Sequence, residues 1–244
     1  MTQPPALVFL HGGCHSSGSW APTISALIAQ QPGIDAFAVD LPGRRHIDGD
    51  LASLSLEVGT ASVVNQIGER IDANRSVVLI GHSLAGVIIP GVVHRLGEKR
   101  VKRLIFVACC VPPAGKSVID TIPVVVRLLA RPVVRKPIID TVPFLITRFI
   151  FGNKASRAQR AQIRRNLCPE STALITNTPK ALSLNNIPAG WIMPTHDRAL
   201  PPRLQRTFMT RLGGLDQVVT IDAGHEVPIT HPGALAEVIG AMVE

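Results

Sequence analysis

Three short stretches of this chain hold residue types that could do nucleophilic chemistry together. The run Val77-Val78-Leu79-Ile80-Gly81-His82-Ser83-Leu84-Ala85-Gly86 reads as an apolar strand, a sharp turn and a helix. A serine on such a turn has its hydroxyl lifted clear of the sheet. Small residues two before and two after it let strand and helix approach. Gly81 and Ala85 fill those places, so the usual G-x-S-x-G is relaxed at its last position. A serine hydroxyl is a weak nucleophile without a base, and a histidine base needs a carboxylate to hold it. Two later strand ends supply these, as Met193-Pro194-Thr195-His196-Asp197 and Ile221-Asp222-Ala223-Gly224-His225. The reading is Ser83 as nucleophile, His225 as base and Asp197 as acid. Asp222 is the rival acid, but it sits only three residues before His225, on the strand end itself.

Acyl chemistry also needs donors for a developing oxyanion. His11-Gly12-Gly13-Cys14 follows the first apolar run, and glycines there leave a backbone N–H unobstructed. The expected donors are the N–H groups of Gly13 and of Leu84, the residue after the nucleophile. Gly12, Cys14 and His82 are placed at the substrate pocket. His11 is expected to order its loop, and Asp40 to stabilise its own turn. His11 and His15 are four apart on a Gly/Ser loop, not on a helix, so no metal site is expected. The glycines make neither G-x-G-x-x-G nor a P-loop, which excludes a nucleotide site and leaves no cofactor in the expected mechanism.

The elements that must position these groups follow from periodicity. Apolar runs over 6–10, 34–39, 76–80, 104–110, 187–193 and 218–221 read as strands. Helical spacing covers 20–31, 54–71, 84–96, 201–212 and 232–243. This alternation predicts an α/β fold: a mostly parallel sheet of about six strands, flanked by helices on both faces. Parallel strands bring all the loops named above to one rim. Residues 114–186 break the rhythm, being far longer than an ordinary connection. They read as a helical cap inserted over the carboxyl ends of the strands, with periodic segments at 119–129, 138–151, 155–167 and 171–182. The core is then 1–113 and 187–244. In the cap, Val124, Val125, Val126, Leu128 and Leu129 interleave with Arg127 and Arg131, and Arg148 interrupts the apolar run 143–151. That pattern predicts a lid that is apolar toward the pocket and basic outward.

Composition narrows the function classes. With 46% hydrophobic and 17% charged residues, the 244-residue chain is not a disordered one. Four cysteines exclude a disulfide scaffold. No apolar run spans a bilayer, and residues 1–5 carry no basic lead into an apolar stretch, so a reducing cytoplasm is expected. The net charge is +8. Residues 114–186 hold 12 Lys and Arg against 3 Asp and Glu, a net of +9, so the remainder is −1. The basic segment has no finger spacing and no cluster of base-stacking aromatics, so nucleic acid is not expected as a partner. A small-molecule ester is the expected one, with weak contact to anionic surfaces through the basic cap. Oligomeric state is left open.

The chain resembles the α/β-hydrolase group of salicylate-type methylesterases and hydroxynitrile lyases, particularly its bacterial esterase-like members. The resemblance rests on L-V-F-L-H-G-G-C-H-S-S-G-S-W (7–20), V-D-L-P-G (39–43), G-H-S-L-A-G (81–86), T-H-D-R-A-L-P-P-R-L-Q (195–205) and A-G-H-E-V-P-I-T-H-P (223–232). It covers 6–113 and 187–244 and is weak across the insertion. It implies a triad of Ser83, Asp197 and His225 in the chain order of that fold. It also implies about six strands rather than eight, the chain starting at the family's third. The implied activity is hydrolysis of a carboxylic ester of a small or medium apolar substrate through an acyl-enzyme. Lyase members carry Thr and Lys where this chain has Gly12 and Glu226. A lyase needs a positive group for departing cyanide, and Glu226 opposes that. Members with an Asp nucleophile differ at Ser83, and the absence of tyrosine excludes epoxide opening by a cap tyrosine. The alternatives are a lyase or acyl-transferring variant, or a non-catalytic ligand-binding member.

Overall fold

Strand-forming and helix-forming runs alternate along the chain, and the computed structural model, which describes residues 3–122, 124–184 and 187–243, folds them in that order. First come β1 (Ala6–Leu10), α1 (Ala21–Gln30), β2 (Ala36–Val39), α2 (Leu56–Arg70), β3 (Val77–His82), α3 (Ile89–Leu96) and β4 (Val101–Val107). The insertion holds α4 (Val124–Val134), β5 (Ile138–Ile139), α5 (Phe144–Ile146), α6 (Arg157–Asn166), β6 (Glu170–Ser171) and α7 (Ala173–Thr176). The core resumes with β7 (Ala189–Pro194), α8 (Pro202–Leu212), β8 (Gln217–Ile221), α9 (Val227–Thr230) and α10 (Pro232–Val243). Six strands form one sheet in the order β2-β1-β3-β4-β7-β8, with every pair parallel.

The apolar runs are unbroken because both sheet faces are covered. Ala6, Val8, Leu10, Val77 and Leu79 pack with Val63 and Ile67 of α2, Val92 of α3 and Phe208 of α8. Leu7, Phe9, Val78 and Ile80 face the other way, against Leu27 of α1 and Leu235, Ala236 and Ile239 of α10. Each such side chain contributes about 1.5–3 kcal/mol by leaving water. The central strands β1, β3 and β7 are buried throughout, while the edge strand β8 alternates and leaves Val218 exposed.

Several elements differ from their expected bounds. The helix expected over 84–96 is divided. Residues Ser83–Val87 form a tight 3-10 turn, and α3 begins at Ile89 with Pro90 in its first turn. Proline tolerates that place because its missing N–H has no acceptor there. The fourth strand ends at Val107, not 110, because Ala108 has φ +46° and turns the chain. In the insertion, Ile138–Ile139 pairs antiparallel with Glu170–Ser171 instead of starting a helix. The β-branched pair Ile138-Ile139, directly after Pro137, favours that pairing. The helix expected over 171–182 closes after Thr176, where Asn177-Thr178-Pro179 stops it. The lid does not turn its apolar run inward as a whole: Phe144, Leu145, Ile146 and Phe149 are exposed. The part of that expectation placed on the side chains of Val124, Val125, Val126 and Leu129 lies outside the described residues. Among the described residues no helix is long and apolar enough to cross a membrane.

Candidate active site

Because the sheet is parallel, the loops after β1, β3, β4, β7 and β8 meet on one rim. Ser83 sits there with φ +52°, a left-handed conformation that non-glycine residues seldom adopt. The neighbours that permit it are small for a steric reason. A Cβ on Gly81 would lie 2.6 Å from Ile89 Cδ1 and 3.1 Å from the Ala85 Cβ. The Cys110 N–H donates to the Ser83 carbonyl at 2.8 Å and holds the turn from the β4 side.

His225 Nε2 lies 3.0 Å from Ser83 Oγ, and His225 Nδ1 lies 2.8 Å from Asp197 Oδ2. A carboxylate only accepts, so Nδ1 carries the proton and Nε2 presents its lone pair to the hydroxyl. Asp197 is itself fixed: its Oδ1 accepts the N–H groups of Ala199 and Leu200 at 2.8 Å each. Burial by itself would lower the His225 pKa. The Asp197 carboxylate, its hydrogen bond and the nearby Glu226 outweigh burial and hold the imidazole above its ordinary value. Asp222 points elsewhere: its exposed carboxylate meets His196 Nε2 at 2.8 Å and Lys154 Nζ at 3.2 Å.

A cavity of about 160 Å³ opens beside Ser83. Gly12, Gly13, Cys14, His82 and Leu84 line it on the core side, and Val118, Phe151 and Ile175 on the insertion side. The two glycines are needed because their loop packs on the Ser83 turn. A Cβ on Gly12 would lie 3.1 Å from Ser83 Cβ, and one on Gly13 would lie 2.9 Å from Leu84 Cδ2. Leu84 is in the first turn after Ser83, where a backbone N–H has no acceptor within its own helix. Gly13 and Leu84 therefore stand side by side at one wall of the cavity, with the Leu84 side chain against Gly13.

The other histidines order this wall. His11 Nδ1 donates to the Gly12 carbonyl at 2.8 Å, and its Nε2 accepts the Leu41 N–H at 3.2 Å. His82 Nε2 donates to the His225 carbonyl at 3.0 Å, and burial holds this ring down at about 4, so it stays neutral. Asp40 does not stabilise its own turn but accepts from the N–H and hydroxyl of Ser17, anchoring the loop after β1. His196 is half-exposed with Asp222 and does not line the cavity.

Sequence reasoning passed over three contributors to the site, Phe151, Arg44 and Glu170, and met a fourth, Glu226, only as a departure from lyase members. Phe151 stacks on the His225 ring with 5.7 Å between centroids. Glu226 is buried, with Oε2 3.6 Å from His15 Nε2. Burial would raise its pKa, but the imidazoles of His15, His82 and His225 around it bring it below the ordinary value. Glu170 and Arg44 form a buried ion pair whose carboxylate also lines the cavity. No local motif marks Phe151, Arg44 or Glu170; Glu170 stands out only as one of three acids in a strongly basic segment.

Comparison with known proteins agrees with this architecture. The family described as "Alpha/beta hydrolase family" matches residues 7–238. A probable esterase of rice, Oryza sativa subsp. indica, is 34% identical over 115 residues, which is 45% of this chain and 40% of the relative. A carbendazim hydrolyzing esterase of Nocardioides sp. is 29% identical over 120 residues, 48% of this chain and 46% of the relative. The chain thus matches less than half the length of either curated relative. Among solved structures, an extracellular alpha/beta-hydrolase of a Paenibacillus species superposes with a TM-score of 0.80 at 26% identity. That match covers 98% of this chain and 99% of the other; the other is described as sharing structural and functional homology with tobacco salicylic acid binding protein 2.

Proposed function

The chain belongs to the alpha/beta hydrolase family, and from that premise we propose that it is a serine hydrolase of carboxylic esters. One observation carries the proposal: an unbroken Ser83–His225–Asp197 hydrogen-bonded chain beside a cavity walled by Gly13 and Leu84. His225 takes the Ser83 proton as Oγ attacks the acyl carbonyl. The N–H groups of Gly13 and Leu84 hold the oxyanion, each such donor being worth roughly 3 kcal/mol. His225 then protonates the leaving alcohol and activates water against the acyl-enzyme, while Asp197 stabilises the imidazolium. The esterases among its relatives support this reaction class.

Residues 114–186 act as the cap in this reading. Val118, Phe151 and Ile175 give the cavity an apolar wall, which supports small to medium apolar esters. The buried Glu226 beside His225 supports hydrolysis over cyanide elimination, since a negative group there repels a departing anion. All four cysteines are free, in keeping with a reducing compartment such as the cytoplasm. The outer cap is proposed to meet anionic surfaces weakly: Phe144, Leu145 and Phe149 are exposed, and Arg148 lies 5.4 Å over the Phe149 ring. Binding to anionic vesicles that fades as salt rises is the expected result; no binding at low salt removes this surface.

The test of the hydrolase is covalent. A fluorophosphonate should add one label to the wild type and none to Ser83→Ala, which should also lose about 10⁶-fold of 4-nitrophenyl acetate turnover. Retention of a few percent of turnover by Ser83→Ala would overturn the assignment. A competing alcohol that diverts most of the acyl group would favour transfer over hydrolysis.

A further inference from the structure

We propose that Glu170, a buried carboxylate supplied by the insertion, is a positioning residue that holds the oxyanion loop in shape; this rests on the ester-hydrolase reading above. The peptide joining Gly13 and Cys14 is gripped at both ends. Its carbonyl accepts from His15 Nδ1 at 2.9 Å, and its N–H donates to Glu170 Oε2 at 2.9 Å. The second Glu170 oxygen accepts from the Arg44 guanidinium at 2.5 Å and from the Ser171 N–H at 2.8 Å, so the carboxylate cannot turn. Arg44 Nε donates to the His15 carbonyl at 3.0 Å and closes a ring through Glu170, Cys14, His15 and Arg44. All four residues are buried. The insertion adds a second tie, the Cys168 N–H to the Cys14 carbonyl at 2.9 Å.

The backbone shows what this grip opposes. Cys14 has φ +57°, a region that only glycine enters freely. Rotation of the 13–14 peptide would return Cys14 to ordinary geometry and redirect the loop that carries the Gly13 N–H. A strained peptide of this kind persists only where its surroundings over-determine it. Gly13 also stands where the parts meet: a Cβ on it would lie 2.9 Å from Leu84 Cδ2 and 3.7 Å from Glu170 Oε2. A bare carboxylate in that corner would repel a developing oxyanion. The Arg44 guanidinium cancels its charge, which accounts for a buried ion pair at this place. The core alone lacks this acceptor, because Glu170 comes from β6 of the insertion.

Turnover of 4-nitrophenyl acetate separates the possibilities. Glu170→Ala should lower kcat about 10²-fold, as loss of an oxyanion donor does, with KM within about threefold. Its ascending pH limb should stay in place, because His225 is untouched. A trifluoromethyl ketone, whose serine adduct carries an oxyanion, should bind more weakly by a similar factor. Glu170→Gln has one acceptor oxygen, which the Arg44 guanidinium and the Ser171 N–H draw to the Oε1 place, so its NH₂ faces the Cys14 N–H and kcat should fall by a similar factor. Unchanged kcat in a folded Glu170→Ala overturns the proposal. Should that variant not fold, Glu170→Gln decides: unchanged kcat in a folded Glu170→Gln overturns the proposal. Wild type that neither turns over esters nor labels at Ser83 marks failure of the hydrolase reading instead. The crystal structure of a Glu170 variant then still decides, since a 13–14 peptide kept in place without the carboxylate overturns the proposal.

Discussion

Asp197→Asn puts the proposed triad to its most exacting test, because the structure dictates where the amide must go. Asp197 Oδ1 accepts two backbone N–H groups, from Ala199 and Leu200. Its Oδ2 accepts from His225 Nδ1 at 2.8 Å and from Gln205 Nε2 at 3.1 Å. Asparagine has one acceptor oxygen, and the backbone N–H groups cannot turn away. The oxygen therefore takes the Oδ1 place and the NH₂ takes the Oδ2 place. That NH₂ presents hydrogens to His225 Nδ1, which must then hold the lone pair. The ring proton moves to Nε2 and points at Ser83 Oγ, where a base is required. Gln205 offers no relief: its Oε1 accepts from Trp191 Nε1 at 3.1 Å, and its Nε2 also donates to the Leu200 carbonyl at 2.7 Å. Turning the Gln205 amide would break both bonds. A wrong tautomer of this kind costs about 10⁴-fold in turnover in serine proteases. That is about 5.5 kcal/mol of activation free energy. Donor facing donor at Gln205 should cost a further 1–3 kcal/mol of stability, roughly. In a domain of this size each kcal/mol lowers Tm by about 2–4 °C. The assay is kcat for 4-nitrophenyl acetate beside a thermal melt, with Asp222→Asn as the control expected to match wild type. A folded Asp197→Asn within tenfold of wild-type turnover, or a crippled Asp222→Asn, refutes the reasoning.

Other outcomes follow from single contacts. The kcat/KM profile should rise with pH as His225 loses its proton, and Glu226→Gln, by removing a carboxylate that favours the charged ring, should move that limb to lower pH; an upward move contradicts it. Gly86→Ala would put a Cβ 2.2 Å from the Cys110 carbonyl oxygen and strain the chain that holds Ser83, so a loss of about 3 kcal/mol in urea unfolding and reduced turnover are expected. Gly68→Ala on the exposed side of α2 meets nothing within 4 Å and should stabilise by about 0.5–1 kcal/mol. His11 and His82 stay neutral down to about 4, while in the unfolded chain a histidine takes a proton near 6.5. Their contribution is therefore full above pH 6.5 and lost as pH falls toward 4, so the urea midpoint should be lower at pH 4.5 than at 7.5; equal midpoints would contradict it.

Local rules suffice for much of this protein. Val77–Ile80 with Gly81 and Ala85 around Ser83 announces strand, turn and helix, because sterics confined to a few neighbouring residues set that turn. Unbroken apolar strands announce a parallel sheet covered on both faces, since burial on two sides leaves no place for polar residues. Chain order then puts Asp197 and His225 at strand ends on one rim. The choice of Asp197 over Asp222 was different in kind. Both follow apolar runs, and only the packed loops show that one carboxylate is buried against Nδ1 while the other sits in solvent with Lys154 and His196. The insertion was legible as a break in rhythm but not in its parts. Ile138–Ile139 finds its strand partner 31 residues away, and Glu170 grips Cys14 across 156. Phe151 turns inward while Phe149 stays outside, although both belong to one apolar run. Periodicity reports which side of an element is apolar. It does not report which distant surface that side will meet, and the wall around Ser83 is made of such meetings.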